Sequence, residues 1–184
     1  MTIIFLASLQ LLLPSTFVRW LAGLSGGMKS QKMAIDIYAV SKIAILIILL
    51  FYFNTHSLFV KLLALYFLID VMTYHLNRLF LSSLFSASLS INRNVILLFM
   101  NILEVISCYA VLFLGTKSAG FAGKPIDDGM TALYFSFITF TTVGYGDYFP
   151  MGTTGEILAI SEAMTAYMFI SMIIVNFVSR MVRG

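Results

Sequence analysis

Hydrophobic positions in this chain come in long unbroken runs separated by short polar punctuation, not in the alternation of a half-buried strand. Residues 1–13 are apolar, but Pro14 interrupts them early. Phe17, Val18, Trp20, Leu21 and Leu24, mixed with Arg19 and Lys29, make residues 1–32 an interfacial amphipathic segment. A signal peptide is the rival reading, weakened by the lack of charge before the apolar stretch and of a small-x-small cleavage site. After Gly23, Gly26 and Gly27 break the chain, Met33 to Phe53 forms the first spanning helix, purely apolar from Ile43 onward. Asn54-Thr55-His56-Ser57 is a polar turn, with Ser57 a candidate cap for a second helix running to Leu81. Ser82 to Asn94 reads as a connector or a bent helix end. Val95 to Leu114 is a third helix, interrupted only by Asn101 and Glu104. Gly115 to Asp128 is a polar loop. A shorter aromatic-rich segment, Ala132 to Phe140, follows, and Glu156 to Val178 is the last long helix.

Composition makes the membrane the only comfortable solvent. Of 184 residues, 60% are hydrophobic and 10% charged, with a mean hydropathy of +0.99, whereas a soluble domain carries about 25% charged residues. The expected fold class is an all-α membrane protein with four transmembrane helices and a lipid bilayer as partner. A net charge of +3, scattered along the chain, gives no basis for nucleic-acid binding. Cys108, the single cysteine, lies inside an apolar run and reads as a small core residue. With both termini cytoplasmic, the inner segments hold Arg19, Lys29, Lys32, Arg78, Arg93, Arg180 and Arg183, and the outer ones Lys61, Lys117 and Lys124. Lys42 stays within a span. Seven against three favours that topology, and it puts the loop between the third and fourth helices outside. Localisation in the cell inner (plasma) membrane is expected. Asp70, Tyr74 and Arg78 share a helix face and read as a polar cluster at a cytoplasmic end, against a pH-sensing role for His75. Glu104 is expected to pair with a neighbouring helix, with no readable partner. No nucleophile–base set or metal-ligand cluster appears, so neither an enzyme nor a cofactor is expected.

Thr141-Thr142-Val143-Gly144-Tyr145-Gly146-Asp147 changes the picture most. Its glycines alternate with Val143 and Tyr145, which suits a backbone that alternates in handedness, since glycine takes the left-handed conformation without a Cβ penalty. Non-helical backbone at membrane depth is tolerated only when buried in protein or lining a wet cavity. Thr-Val-Gly-Tyr-Gly resembles the selectivity filter of the potassium-channel superfamily, and Ala132 to Phe140 resembles that family's pore helix. The resemblance covers about residues 125–178 closely and the third helix less closely.

The resemblance implies a pore domain over 95–184, with outer helix 95–114, pore helix 129–141, filter 142–146 and inner helix 156–178, preceded by two additional helices and a connector over 33–94. It implies that the carbonyls of Thr142, Val143, Gly144 and Tyr145, with the Thr142 hydroxyl below, bind permeant K+ in stacked cages. One chain supplies a quarter of each ring, so a homotetramer is expected. Thr141, Gly146, Asp147, Tyr134 and Glu162 would frame the filter, and Asp127 or Asp128 would cap the pore helix. Many members carry Trp-Trp where this chain has Tyr134-Phe135, which leaves the Tyr134 hydroxyl as candidate partner for Asp147. Some carry Glu at the position of Ile138, which cannot share a proton. The hinge glycine of many relatives corresponds to Ala166. That residue is grouped with Ile170 and Ile174 as inner pore and gate. Glu162, an ionisable residue within a span, either accepts hydrogen bonds behind the filter or forms a ring on the cavity wall. Voltage-gated relatives carry Lys or Arg at every third position before the pore unit; Lys61, His75 and Arg78 lack that spacing, and no cytosolic ligand-binding domain is expected. The implied function is passive potassium conduction. A weakly selective cation channel and a non-conducting channel-like subunit are the alternatives.

Overall fold

In lipid every backbone N–H and C=O must find a partner inside its own segment, so long apolar runs fold as helices. The computed structural model describes residues 27–80, 91–121 and 123–181. Its elements are α1 (Gly27–Tyr52), α2 (Leu58–Phe80), α3 (Ile91–Thr116), β1 (Ala119–Phe121), β2 (Lys124–Pro125), α4 (Gly129–Phe140), β3 (Phe149–Pro150) and α5 (Gly152–Met181). Met33–Tyr52, Leu58–Leu76, Val95–Thr116 and Gly152–Ile174 are apolar and long enough to cross a membrane. The protein is an all-α membrane protein, with four candidate membrane-spanning helices among the described residues.

Several boundaries differ from those predicted. Residues 27–32, expected in the interfacial segment, begin α1, while the remainder of that segment lies outside the described residues. The expected connector is shortened because α3 starts at Ile91, and its residues 82–90 lie outside the described residues. The polar loop 115–128 contains β1 and β2, which join β3 in a small antiparallel sheet of order β2-β1-β3. Strand pairing satisfies backbone groups that a bare loop would leave open.

Two compact units divide the chain. The first combines Met1–Leu46 with Leu65–Val105. Among its described residues Ala39, Leu46, Phe67, Val71, Leu97 and Val105 are buried, and so are several polar groups. Lys42 Nζ lies 2.8 Å from Asp70 Oδ2 and 2.6 Å from Glu104 Oε1, joining α1, α2 and α3. Tyr38 donates to Asp70 Oδ2 at 3.1 Å, and the Lys42 ammonium sits 4.6 Å from the Tyr38 ring centre. His75 Nε2 is 3.0 Å from Asn101 Nδ2. The expected cluster along one face of α2 is thus corrected: Asp70 reaches across to α1, and His75 to α3. The side chain of Arg78 lies outside the described residues. A buried carboxylate needs an opposite charge within reach, and Lys42 supplies it.

The second unit combines Ile47–Ala64 with Ile106–Gly184. Its core is aromatic. Phe113 meets Phe135 edge-on at 4.8 Å, and Phe140 meets Phe169 at 6.0 Å. Lys117, in the left-handed region at φ 53°, ends α3, and Ser118 N–H returns to Phe113 O at 3.2 Å in a Schellman-type cap. Met151 N–H donates to Ser118 O at 2.7 Å, tying the entry of α5 to that cap. Gly155 permits this approach, since a Cβ there would collide with Ser118 O.

Candidate functional site

The site is built outward from α4. Asp128, not Asp127, is its N-cap: extended at φ −125°, ψ 152°, it accepts from Thr131 N–H at 2.8 Å. Hydrogen bonds from Thr131, side chain first and then backbone, hold the Asp128 carboxyl below its ordinary value. A carboxylate there also suits the positive end of the helix dipole, leaving the negative end at Phe140. Ala132, Phe135, Ser136, Ile138 and Phe140 are buried, so packing within the unit fixes the helix direction.

At that C-terminal end the chain turns sharply. Thr141 N–H bonds to Phe137 O at 3.0 Å and Thr142 N–H to Thr139 O at 3.1 Å. Val143 and Gly144 N–H both converge on Ile138 O, at 3.0 and 3.3 Å. No peptide bond among the described residues is cis. In a planar trans peptide the carbonyl points opposite to the N–H that follows it. The carbonyls of Thr142 and Val143 are therefore both directed away from the end of α4. In a non-helical stretch such as this one, successive carbonyls face one way when backbone handedness alternates. Thr142 (φ 59°), Gly144 (φ 52°) and Gly146 (φ 80°) are left-handed, with Val143 and Tyr145 between them outside that region. Glycine meets this demand freely at 144 and 146. Thr142 does so against its Cβ, a conformation uncommon outside glycine. Residues 141–146 are exposed within the single chain, Tyr145 most of all at 73%.

The frame residues divide into two groups. Outside the filter, Tyr134 donates to Asp147 Oδ2 at 2.6 Å, and Tyr148 packs edge-on to Tyr134 at 6.0 Å. That hydrogen bond is the main reason the Asp147 carboxyl sits below its ordinary value. Asp147 Oδ1 also accepts from Tyr148 N–H at 3.0 Å. Behind α4, Glu162 is fully buried, and its Oε1 lies 2.5 Å from Ser136 Oγ. Tyr109 donates to Ser161 Oγ at 3.0 Å, a polar link between α3 and α5.

The inner-pore set does not stay together. Ala166 is completely buried beside Glu162, Thr165 and Phe169 on the packed face of α5. Ile170 and Ile174 lie on an exposed stripe with Ile160, Met164 and Tyr167. Helical periodicity separates them: the packed face repeats at 162, 165, 166, 169 and 172. The Lys42–Asp70–Glu104 set and Ser136 were not anticipated as functional groups. A lysine inside an apolar run was the available signal for the first. A glutamate within the apolar run of α5 was the signal for the second.

Comparison with known proteins agrees with this geometry. Residues 96–183 match the family described as ion channel. Over 59 residues the chain is 39% identical to two-pore potassium channel 4 of Arabidopsis thaliana. That match covers 32% of this chain and 21% of the plant protein, so the chain spans a minor part of the relative. No solved structure matches. The chain is thus similar to ion channels over its residues 96–183, and within a shorter stretch to a potassium channel.

Proposed function

We propose that this protein conducts K+ passively and selectively across the membrane, through a pore on the axis of four copies. The observation that carries the reading is the alternation of left-handed backbone at 142, 144 and 146, with the Val143 and Gly144 amides turned back onto Ile138 O. That turn frees successive carbonyls for a cation. In this reading Thr142, Val143, Gly144 and Tyr145 replace the hydration shell of K+, and several sites in file let ions repel one another onward. Thr141, Gly146, Asp147, Tyr134 and Glu162 hold the frame, and the dipole of α4 aims its negative end at the ion path. The potassium in the name of the plant relative supports the choice of ion.

The tetramer is supported by what one chain leaves uncovered. The α5 span is 28% buried and the α3 span 61%, and Phe137, Val143, Tyr145, Ile160, Met164 and Tyr167 are exposed. Three further copies would cover this apolar surface and complete each oxygen ring. Ile170 and Ile174 would then line the inner pore, where apolar rings gate by dewetting. Both termini lie in the cytoplasm, by the distribution of Lys and Arg, and the plasma membrane is the proposed location. The α2 charges are too few for a steep voltage sensor. The ion-channel match points to transport and not to catalysis.

Purified protein in potassium-loaded liposomes tests the reading. Efflux of K+ that barium blocks and that external Na+ does not replace is expected. Equal K+ and Na+ permeability would make it a weakly selective cation channel, and no flux a non-conducting subunit.

A further inference from the structure

Ser136 has a single hydroxyl hydrogen, yet its Oγ lies within hydrogen-bond distance of two groups that ordinarily only accept. One is the main-chain carbonyl of Ile106 on α3, at 2.9 Å. The other is Glu162 Oε1 on α5, at 2.5 Å. A serine hydroxyl offers one O–H and two lone pairs, a carbonyl offers no hydrogen, and an ionised carboxylate offers none either. With Glu162 ionised, one of these two close oxygen–oxygen contacts would contain no proton and would be repulsive. A proton on Glu162 gives each contact a hydrogen of its own, where an ionised Glu162 would leave one hydrogen to be shared between two acceptors. Glu162 then donates to Ser136, and Ser136 donates onward to Ile106 O.

The surroundings agree. Glu162 is 0% exposed, and its second oxygen, Oε2, has no hydrogen-bond partner. An unpaired carbonyl oxygen of a neutral acid is tolerable there, whereas half of a buried carboxylate left bare is expensive. Among the described residues no Lys, Arg or His forms an ion pair with Glu162. The groups near it are Ser136 on α4 and Tyr109 on α3, with Ser161 and Thr165 on α5 itself and the Tyr109 hydroxyl directed to Ser161.

We propose that Glu162 is a neutral carboxylic acid whose proton fastens α4 to α5 and, through the Ser136 hydroxyl, to α3, making it a positioning residue for the filter. The inference rests on the conduction reading only for its functional consequence. Ser136 lies two residues before Ile138, whose carbonyl receives the Val143 and Gly144 amides. A shift of α4 at Ser136 therefore moves the hydrogen-bond anchor of the filter. An ionised Glu162 would take the Ser136 hydrogen for itself and leave the Ile106 link without one.

Infrared difference spectroscopy of the lipid-reconstituted protein at neutral pH tests this, wild type against Glu162→Gln. The carbonyl stretch of a protonated acid should be present in the wild type and absent in the variant. A carboxylate band lost in its place would overturn the proposal. Glutamine keeps the shape and an N–H donor, so its K+ flux should stay within about twofold of wild type. Glu162→Leu, which has no donor, should lose about tenfold, the order that one buried hydrogen bond carries. Equal fluxes for the Gln and Leu variants would also overturn it. If the Leu variant fails to fold, the infrared comparison still decides. Absence of flux from the wild type would sink conduction while leaving the acid band to report on the proton.

Discussion

Single residues between Thr142 and Asp147 do work that their identity only partly announces. Gly144 and Gly146 supply left-handed backbone at little cost, while Thr142 takes the same conformation with a β-branched side chain. Ile138 matters through its carbonyl, which receives two amides, and not through its side chain. At Tyr134, a single oxygen ties α4 to Asp147. Tyr134→Phe should therefore change inactivation kinetics a few-fold while leaving expression and assembly intact; currents with wild-type kinetics would refute a role for the hydroxyl. The Asp147 carboxyl is held below its ordinary value of 3.8 by that hydrogen bond. The sign follows from its being depressed in the folded protein. The tether's contribution is fully present above 3.8 and is lost as pH falls through the lower folded value. Acid steps on the side facing Asp147 should alter wild-type kinetics and leave Tyr134→Phe much less affected, as recorded in a planar bilayer.

At the scale of elements, helices meet through a few polar contacts set in apolar surface. One ammonium, Lys42, serves two carboxylates from different helices, with side-chain exposures of 6% or less. Such sets add little net stability against an apolar replacement, but removing one member leaves an uncompensated buried charge at a cost of about 3–5 kcal/mol. Lys42→Met should accordingly lower the thermal midpoint of the detergent-solubilised protein sharply. A triple variant with Asp70→Leu and Glu104→Met as well should recover most of that loss. Failure of the triple variant to recover would mean that the charges do more than compensate one another. The set is also directional: three side chains from α1, α2 and α3 meet only at one helical register, which apolar packing alone specifies weakly.

For the whole molecule, the consequence is assembly. The exposed apolar stripe of α5 and the exposed filter are surfaces a lone chain would leave unmatched, whereas the outward residues of α1 and α2 can face lipid. Native mass spectrometry from detergent should give four times the 20.5 kDa chain. A stable monomer or dimer would overturn the pore on a fourfold axis. A bulky charge on the stripe, such as Met164→Lys, should shift the population toward monomer, because a buried unpaired charge costs several kcal/mol.

The helices and turns of this protein are largely legible in its sequence. The helices announce themselves because lipid demands satisfied backbone over about 20 apolar residues. The filter is legible because few local sequences allow the backbone to alternate in handedness. The Asp128 cap, one of two candidates, and the Tyr134–Asp147 pair were within reach of local pattern and resemblance. What only tertiary structure decided were the meetings between residues far apart in sequence. Lys42 finds Asp70 and Glu104 at separations of 28 and 62 residues, and Glu162 finds Ser136 at 26. It also decided that Ala166 faces inward while Ile170 does not. Helix periodicity tells which residues share a face, but which face meets which neighbour depends on packing. A buried charge selects its partner from whatever that packing brings within about 4 Å.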